Sequence, residues 1–149
     1  MPTPRTLTRF LARARAAVGL RGEVSLLLTT DSAIHRLNRQ FRSKDKATDV
    51  LSFPAGKLPQ GPKDQEIAGD LAISVDAARR QCAACGHSLA VELKVLMLHG
   101  LLHLAGYDHE SDQGGMARRE RQIRAQFRLP HGLIERTDKP DHRTRRRSR

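Results

Sequence analysis

The chain has 149 residues, 38% of them hydrophobic and 29% charged, which is the composition of one globular domain with a single packed core. Two cysteines exclude a disulfide scaffold, and no apolar run approaches the ~20 residues that a transmembrane helix needs. The net charge of +11 points to a polyanionic partner. Aromatic residues at 3% are too few for a base-stacking platform, so any contact with nucleic acid should rest mainly on phosphate. We therefore expect a cytoplasmic protein without a membrane segment.

The first part of the chain predicts a helix, a strand and a second helix. Apolar residues at helical spacing predict a helix over residues 6–18, and a short apolar run predicts a strand over 24–29. Asp31 or Ser32 is then expected to cap a helix that runs to about Phe41. A second strand over 49–53 should stop at Pro54, because proline cannot donate to a strand ladder.

The rest of the chain predicts a third strand followed by helices. A loop rich in glycine and proline leads to a strand over 67–74, after which Asp76 is expected to cap a helix that ends at Gly86. Further helices are predicted over 88–105, with Gly106 in the position after the helix end, and over 113–127. The pattern predicts a single-domain α+β fold, with a small mixed sheet of three to four strands and helices packed on it.

Two histidines lie four residues apart in the apolar helix predicted over 88–105. His99 and His103 therefore share one face, and Gly106 lets the chain turn back so that His109 returns toward them. Three neutral imidazoles with one open position are typical of a catalytic zinc site, where the ion lowers the pKa of a bound water to about 7. The spacing predicts a metal centre, with nickel, copper and iron as alternatives to zinc. The competing interpretation is two core histidines and one surface histidine.

The residues beside these histidines indicate the type of chemistry. Gly100 stands where a metallopeptidase of the His-Glu-x-x-His type has its general-base glutamate, so peptidase chemistry is disfavoured. Asp108 is a candidate to orient a ligand imidazole or to accept a proton, and Glu110 is a weaker one. Both could instead be ordinary solvated carboxylates of a turn, and the general base is not identified.

The segment from His99 to His109, HGLLHLAGYDH, resembles the signature of the YbeY family, the metal-dependent endoribonucleases of bacterial rRNA maturation. Further segments also resemble the family: LNRQFR at 37–42, KDKATDVLSFP at 44–54, GDLAIS at 69–74 and GHS at 86–88. The resemblance covers about residues 7–130, in order and without a missing piece.

The resemblance implies a fold with a zincin-like helix that carries the histidines, and an enzyme that cuts single-stranded RNA. It implies a role in 16S rRNA 3′-end maturation and ribosome quality control, with the small ribosomal subunit and its proteins as partners. His99, His103 and His109 would hold one zinc ion per chain. The family's functional arginine corresponds to Arg42.

We expect three residues to act in catalysis, namely Arg42, His99 and Asp108. A metal-activated water would attack phosphorus, or the ion would activate the ribose 2′-hydroxyl, while Arg42 clamps the phosphate and offsets charge on its oxygens. Lys44 and Lys46 are expected to contact RNA together with Arg42. The alternative is a ribosome-associated assembly factor with a structural zinc and little nuclease activity; a metallopeptidase is a third, less favoured function.

Two features lie outside the family pattern. Cys82 and Cys85 form a Cys-x-x-Cys pair without a second pair to complete a structural zinc site, so we interpret them as small core residues. The nuclease domain is expected over residues 1–135, followed by a basic, disordered tail over 136–149 that carries +5 of the +11 net charge. This tail is expected to add non-specific affinity for rRNA.

Overall fold

The computed structural model of the protein describes residues 1–42, 48–54, 67–107 and 114–130, and of Arg42 only the backbone. Within these residues the elements follow one another as α1 (Pro4–Val18), β1 (Glu23–Thr29), α2 (Asp31–Arg42), β2 (Val50–Pro54), β3 (Ile67–Ser74), α3 (Val75–Cys85), α4 (Leu89–Leu104) and α5 (Gly115–Gln126). The predicted tail over 136–149 lies outside them, so the domain boundary at 135 stays a prediction.

The described strands form one mixed sheet in the order β1-β3-β2. β1 runs parallel to β3, and β2 runs antiparallel to it. The α+β prediction is confirmed, and the third strand has the predicted bounds. The second strand was predicted to end before Pro54, but Pro54 is the last residue of β2 and pairs with Gly69 of β3. An edge strand accepts proline at such a position because one side of the strand needs no ladder partner.

Two apolar clusters cover the two faces of the sheet. Successive residues of β3 point to opposite faces, so Leu71 and Ile73 join the main core while Ala72 joins a smaller cluster beneath α2. The main core contains buried side chains of α1, α4 and α5, and α4 is buried along most of its length. The described structure therefore has α2 on one face of the sheet and the helix α4 at the centre of the other.

The predicted helix caps are each displaced to an earlier residue. α2 is capped by Thr30, whose Oγ1 accepts an N–H three residues on at 3.2 Å, and not by Asp31 or Ser32. α3 is capped by Ser74, whose Oγ accepts the N–H of the third following residue at 3.1 Å, and not by Asp76. Ser74 is the last residue of β3 and has the extended conformation that a cap requires, and Thr30 directly follows the last residue of β1.

The displaced aspartates connect the starts of α2 and α3. Asp76 Oδ2 accepts the backbone N–H of Asp31 at 3.0 Å. The Asp31 carboxylate in turn accepts hydrogen bonds from Ser74 Oγ at 2.6 Å and from Arg80 Nη1 at 2.8 Å. Hydrogen bonds from Arg80 and then from Ser74 hold the pKa of the Asp31 carboxyl below its ordinary value.

No single helix among the described residues is long and apolar enough to cross a membrane. Val75–Cys85 and Leu89–Leu104 satisfy the length and composition requirement only when taken together, and the two are bent by 114° at the break between them.

Candidate metal centre

Helix α4 carries the predicted metal ligands and is firmly defined at both ends. Ser88 Oγ accepts the N–H of Val91 at 3.1 Å and caps its first turn. At the other end Gly106 adopts a left-handed φ of 98°, as predicted for the position after the helix. Because most of α4 is buried between the sheet and the neighbouring helices, its side chains project from a fixed backbone.

Gly100 allows α4 to approach the sheet closely. A Cβ atom at this position would lie 2.7 Å from Leu71 Cδ2 and 3.2 Å from Ser52 Oγ. Ser52 Oγ also donates a hydrogen bond to the Gly100 carbonyl at 3.0 Å, which ties the helix to β2. The sheet occupies the space that a glutamate of a His-Glu-x-x-His peptidase would need. The close packing of α4 on the sheet thus gives a structural reason for a glycine at position 100. The sequence pattern alone indicated only that a general-base glutamate is lacking there.

His99 and His103 are brought together as predicted. Their Nε2 atoms are 3.1 Å apart, and the rings lie edge to face with centroids 4.7 Å apart. Two nitrogens bound to one tetrahedral zinc ion at about 2.0–2.1 Å are about 3.3 Å from each other, so this pair fits the ion with little movement. His99 is 8% exposed and His103 is half-buried, so the pair lies at the edge of the core.

A buried carboxylate from α5 orients the first of these histidines. Glu120 Oε2 lies 3.0 Å from His99 Nδ1, and Glu120 is 1% exposed. A carboxylate can only accept, so Nδ1 carries the proton of this bond, and the Nε2 lone pair of a neutral ring remains available to a metal. A carboxylate behind a ligand histidine is the usual outer partner in zinc sites. The donor chemistry of the described residues therefore fits a zinc ion.

Sequence analysis missed Glu120 and considered Asp108 for this role instead. A signal was present: Glu120 is the one acidic residue within Gly115–Gln126, and it lies on the buried face between Met116 and Ile123. A carboxylate at a core position is rare unless it has a partner. The partner could not be named from sequence, because His99 is 21 residues away along the chain.

Five of the predicted site residues fall in segments that the structure does not describe. They are Lys44, Lys46, Asp108, His109 and Glu110. Their roles as the third metal ligand, the outer carboxylates and the RNA contacts stay predictions.

Arg42 is the last residue of α2, so its backbone position is described although its side chain is not. The preceding residue, Phe41, packs edge to face on Phe53 of β2, with ring centroids 5.7 Å apart. This contact attaches the end of α2 to the same strand whose Ser52 bonds to the histidine helix. Tyr107, whose role the sequence left undecided, is half-buried and packs against the main core.

The interpretation of the cysteine pair as core residues is wrong. Cys82 is half-buried and Cys85 is exposed, and both thiols are free. α3 buries Ala77 and Ala78 of its first two turns, and its last turn leads away from the core into the corner before α4. The tendency of cysteine toward burial was overridden by the position of these residues at the end of the helix.

Comparisons with known proteins identify the family. The family model described as Endoribonuclease YbeY matches residues 4–128. Proteins named Endoribonuclease YbeY from Koribacter versatilis and Solibacter usitatus are 50% and 49% identical to the chain, over 97% and 87% of it and over 90% and 83% of their own lengths. Among solved structures, the solution structure of TM1509 from Thermotoga maritima is similar, with a TM-score of 0.54, 27% identity and 83% of each chain covered. The chain belongs to the YbeY endoribonuclease family.

Proposed function

We propose that this protein is a zinc-dependent endoribonuclease that cuts single-stranded RNA in 16S rRNA 3′-end maturation and ribosome quality control. The observation that carries the proposal is the convergence of His99 and His103, with Nε2 atoms 3.1 Å apart and Glu120 behind His99, in a chain of this family. One zinc ion, held by these histidines together with His109, would supply Lewis-acid polarisation and activation of water. Its partners would be the small ribosomal subunit and its proteins, in the cytoplasm.

The described residues have distinct tasks in this proposal. Glu120 fixes the ring of His99 and its protonation, so that Nε2 faces the ligand position without reorganisation. His103 presents its own Nε2 to the same point from one turn further along α4. Gly100 and Ser52 hold the helix at a constant distance from the sheet. Together they keep the ligand positions fixed while substrate binds.

Phosphate recognition is assigned to Arg42. Its planar guanidinium would donate two parallel hydrogen bonds to the scissile phosphate and stabilise charge on the phosphate oxygens as the reaction proceeds. The anchoring of Phe41 on Phe53 supports this role, since it sets the position of the helix end from which Arg42 extends. Lys44 and Lys46 would add phosphate contacts, and Asp108 would assist proton transfer.

The central test compares cleavage of an rRNA 3′-end fragment by wild-type protein and by His103→Ala, with bound zinc measured in both. His103 is half-buried, so the variant should remain folded by circular dichroism while losing the zinc equivalent of the histidine centre and losing cleavage. His35→Ala, which removes a half-buried histidine from α2, is the matched control and should retain both. Wild-type protein that holds zinc but cuts nothing without ribosomal subunits would favour the assembly-factor function. Casein hydrolysis that disappears in His103→Ala would favour a peptidase.

A second test concerns Arg42. Arg42→Lys keeps the positive charge but removes the planar fork, so cleavage should fall while zinc content stays constant. Cleavage at the wild-type rate would refute the bidentate role.

A further inference from the structure

A second group of metal-capable side chains lies at the corner between α3 and α4. The Cys85 thiol, a His87 ring nitrogen and a Glu92 carboxylate oxygen all lie within 4.8 Å of one another. We call these three residues the corner cluster. The two helices meet at the corner with a bend of 114°, so the cluster joins the end of one helix to the start of the next.

Backbone geometry brings the three residues together. Gly86 adopts a left-handed φ of 76°, and the N–H groups of Gly86 and His87 both bond to the Cys82 carbonyl, at 3.0 and 3.1 Å. This turn reverses the chain between Cys85 and His87, so that their side chains face the same region. Glu92 comes from the first turn of α4. The arrangement is therefore determined by hydrogen-bonded backbone on both sides of the corner.

The chemistry of the corner favours a cation. Glu92 is fully buried, and its Oε1 lies 2.6 Å from His87 Nε2, so the carboxylate and the imidazole already face each other at the corner. A buried carboxylate is costly unless positive charge or hydrogen bonds compensate it. Cys85 lies at the negative end of the α3 dipole, and the last turn of this fully described helix has no basic side chain. The exposed thiol gives an ion access from solvent.

We propose that the corner cluster binds a zinc ion, with Cys85, His87 and Glu92 as ligands and water in the fourth position. Thiolate, imidazole and carboxylate are all zinc ligands, at about 2.3, 2.0–2.1 and 2.0–2.2 Å. In a tetrahedral site these bonds hold the N and O atoms about 3.3 Å apart and the S and N atoms about 3.6 Å apart. His87 Nε2 and Glu92 Oε1 are 2.6 Å apart, and the ligand atoms of the three residues lie within 4.8 Å of one another. The side-chain atoms would therefore have to shift by about an ångström to reach the tetrahedral distances. Binding releases the thiol proton to solvent and moves the imidazole proton from Nε2 to Nδ1.

This ion would be distinct from the one proposed for catalysis. Glu92 and His99 are seven residues apart on α4, which corresponds to about 10.5 Å along the helix axis. One ion cannot span that separation, and the histidine centre contains no thiol among its described residues. The corner ion would brace the junction of α3 and α4, from which the histidine helix begins. The inference does not depend on the proposed nuclease activity.

The thiol ligand makes the test specific. The reduced, metal-free full-length protein is titrated with Co²⁺, and thiolate-to-cobalt charge-transfer absorption is measured in the near ultraviolet. We expect this absorption in wild-type protein and in His103→Ala, and its loss in Cys85→Ser. Cys82→Ser is the matched control, since the Cys82 thiol bonds to the Arg79 carbonyl at 3.3 Å and is not in the cluster. It should retain the absorption.

Zinc stoichiometry provides the second measurement. Wild-type protein should bind one more equivalent of zinc than Cys85→Ser, and Glu92→Gln should weaken that equivalent at least about tenfold. Because Cys85 is exposed, its serine variant should keep the wild-type circular dichroism spectrum. Absence of the charge-transfer band in wild-type protein, its persistence in Cys85→Ser, or its loss in Cys82→Ser would each overturn the assignment.

Discussion

Replacing Glu120 by glutamine should weaken zinc binding without unfolding the protein. In the wild-type protein Glu120 Oε2 lies 3.0 Å from His99 Nδ1. Glutamine has nearly the same shape as glutamate, and its amide oxygen can still accept the hydrogen bond from His99 Nδ1. It removes the negative charge that increases the basicity of the ligand imidazole. Loss of such an outer partner costs about 10–100-fold in metal affinity, or about 1.4–2.8 kcal/mol of binding free energy.

The assay is a competition titration of zinc against a chelator of known affinity, with cleavage of the rRNA fragment measured in parallel. Glu23→Gln is the control, because Glu23 is exposed at the start of β1 and its neutralisation should change neither quantity. Glu120→Ala should be worse than the glutamine variant, since it leaves the His99 Nδ1–H without this acceptor and adds about 1–3 kcal/mol of instability. If both Glu120 variants bind zinc and cut RNA like wild-type protein, the orienting role is refuted.

Three further predictions concern stability and RNA binding. Because the pKa of Asp31 is lowered in the folded state, the stability that Asp31 contributes is present above its unfolded pKa of about 3.9 and is lost as the pH falls through the folded pKa. Arg80→Gln should make the free energy of unfolding less sensitive to acid, and identical acid denaturation curves for variant and wild type would contradict this prediction. Gly69→Ala should destabilise the fold by about 1–3 kcal/mol, because Gly69 has a φ of 155° and a Cβ atom would lie 2.5 Å from the Phe53 carbonyl oxygen. If the variant is as stable as wild type in urea denaturation, the sheet accommodates the added Cβ and the prediction is wrong. Deleting residues 136–149 should flatten the salt dependence of RNA binding and leave cleavage unchanged. The slope of the logarithm of the binding constant against the logarithm of the salt concentration should fall by about 0.7 for each phosphate that the tail neutralises, and an unchanged slope would show that the tail does not bind RNA.

Local pattern was sufficient for most elements. The predicted strand over 67–74 agrees with Ile67–Ser74, and the helix predicted over 88–105 agrees with Leu89–Leu104 to within one residue at each end. The helical spacing of four residues was enough to place His99 beside His103, because that contact depends on one continuous helix. These features are encoded within a few neighbouring residues, so they can be read from the chain alone.

Burial and partner choice could not be read in this way. The exposure of Cys85 depends on where α3 leaves the core, and the choice of Thr30 and Ser74 as caps depends on where the strands end. Glu120 finds its partner across 21 residues of sequence, and the importance of Gly100 becomes clear only when the sheet lies against α4.

By itself, then, the sequence determined the helices, the strands, the histidine pair and the family. Only the tertiary structure decided which carboxylate lies behind His99 and which residues meet at the corner of α3 and α4. The physical reason is the range of the interactions. Contacts within a helix join residues about four apart, so they follow from the sequence. The packing of α4 against α5 and the sheet brings together residues that are far apart in the sequence, at no regular spacing.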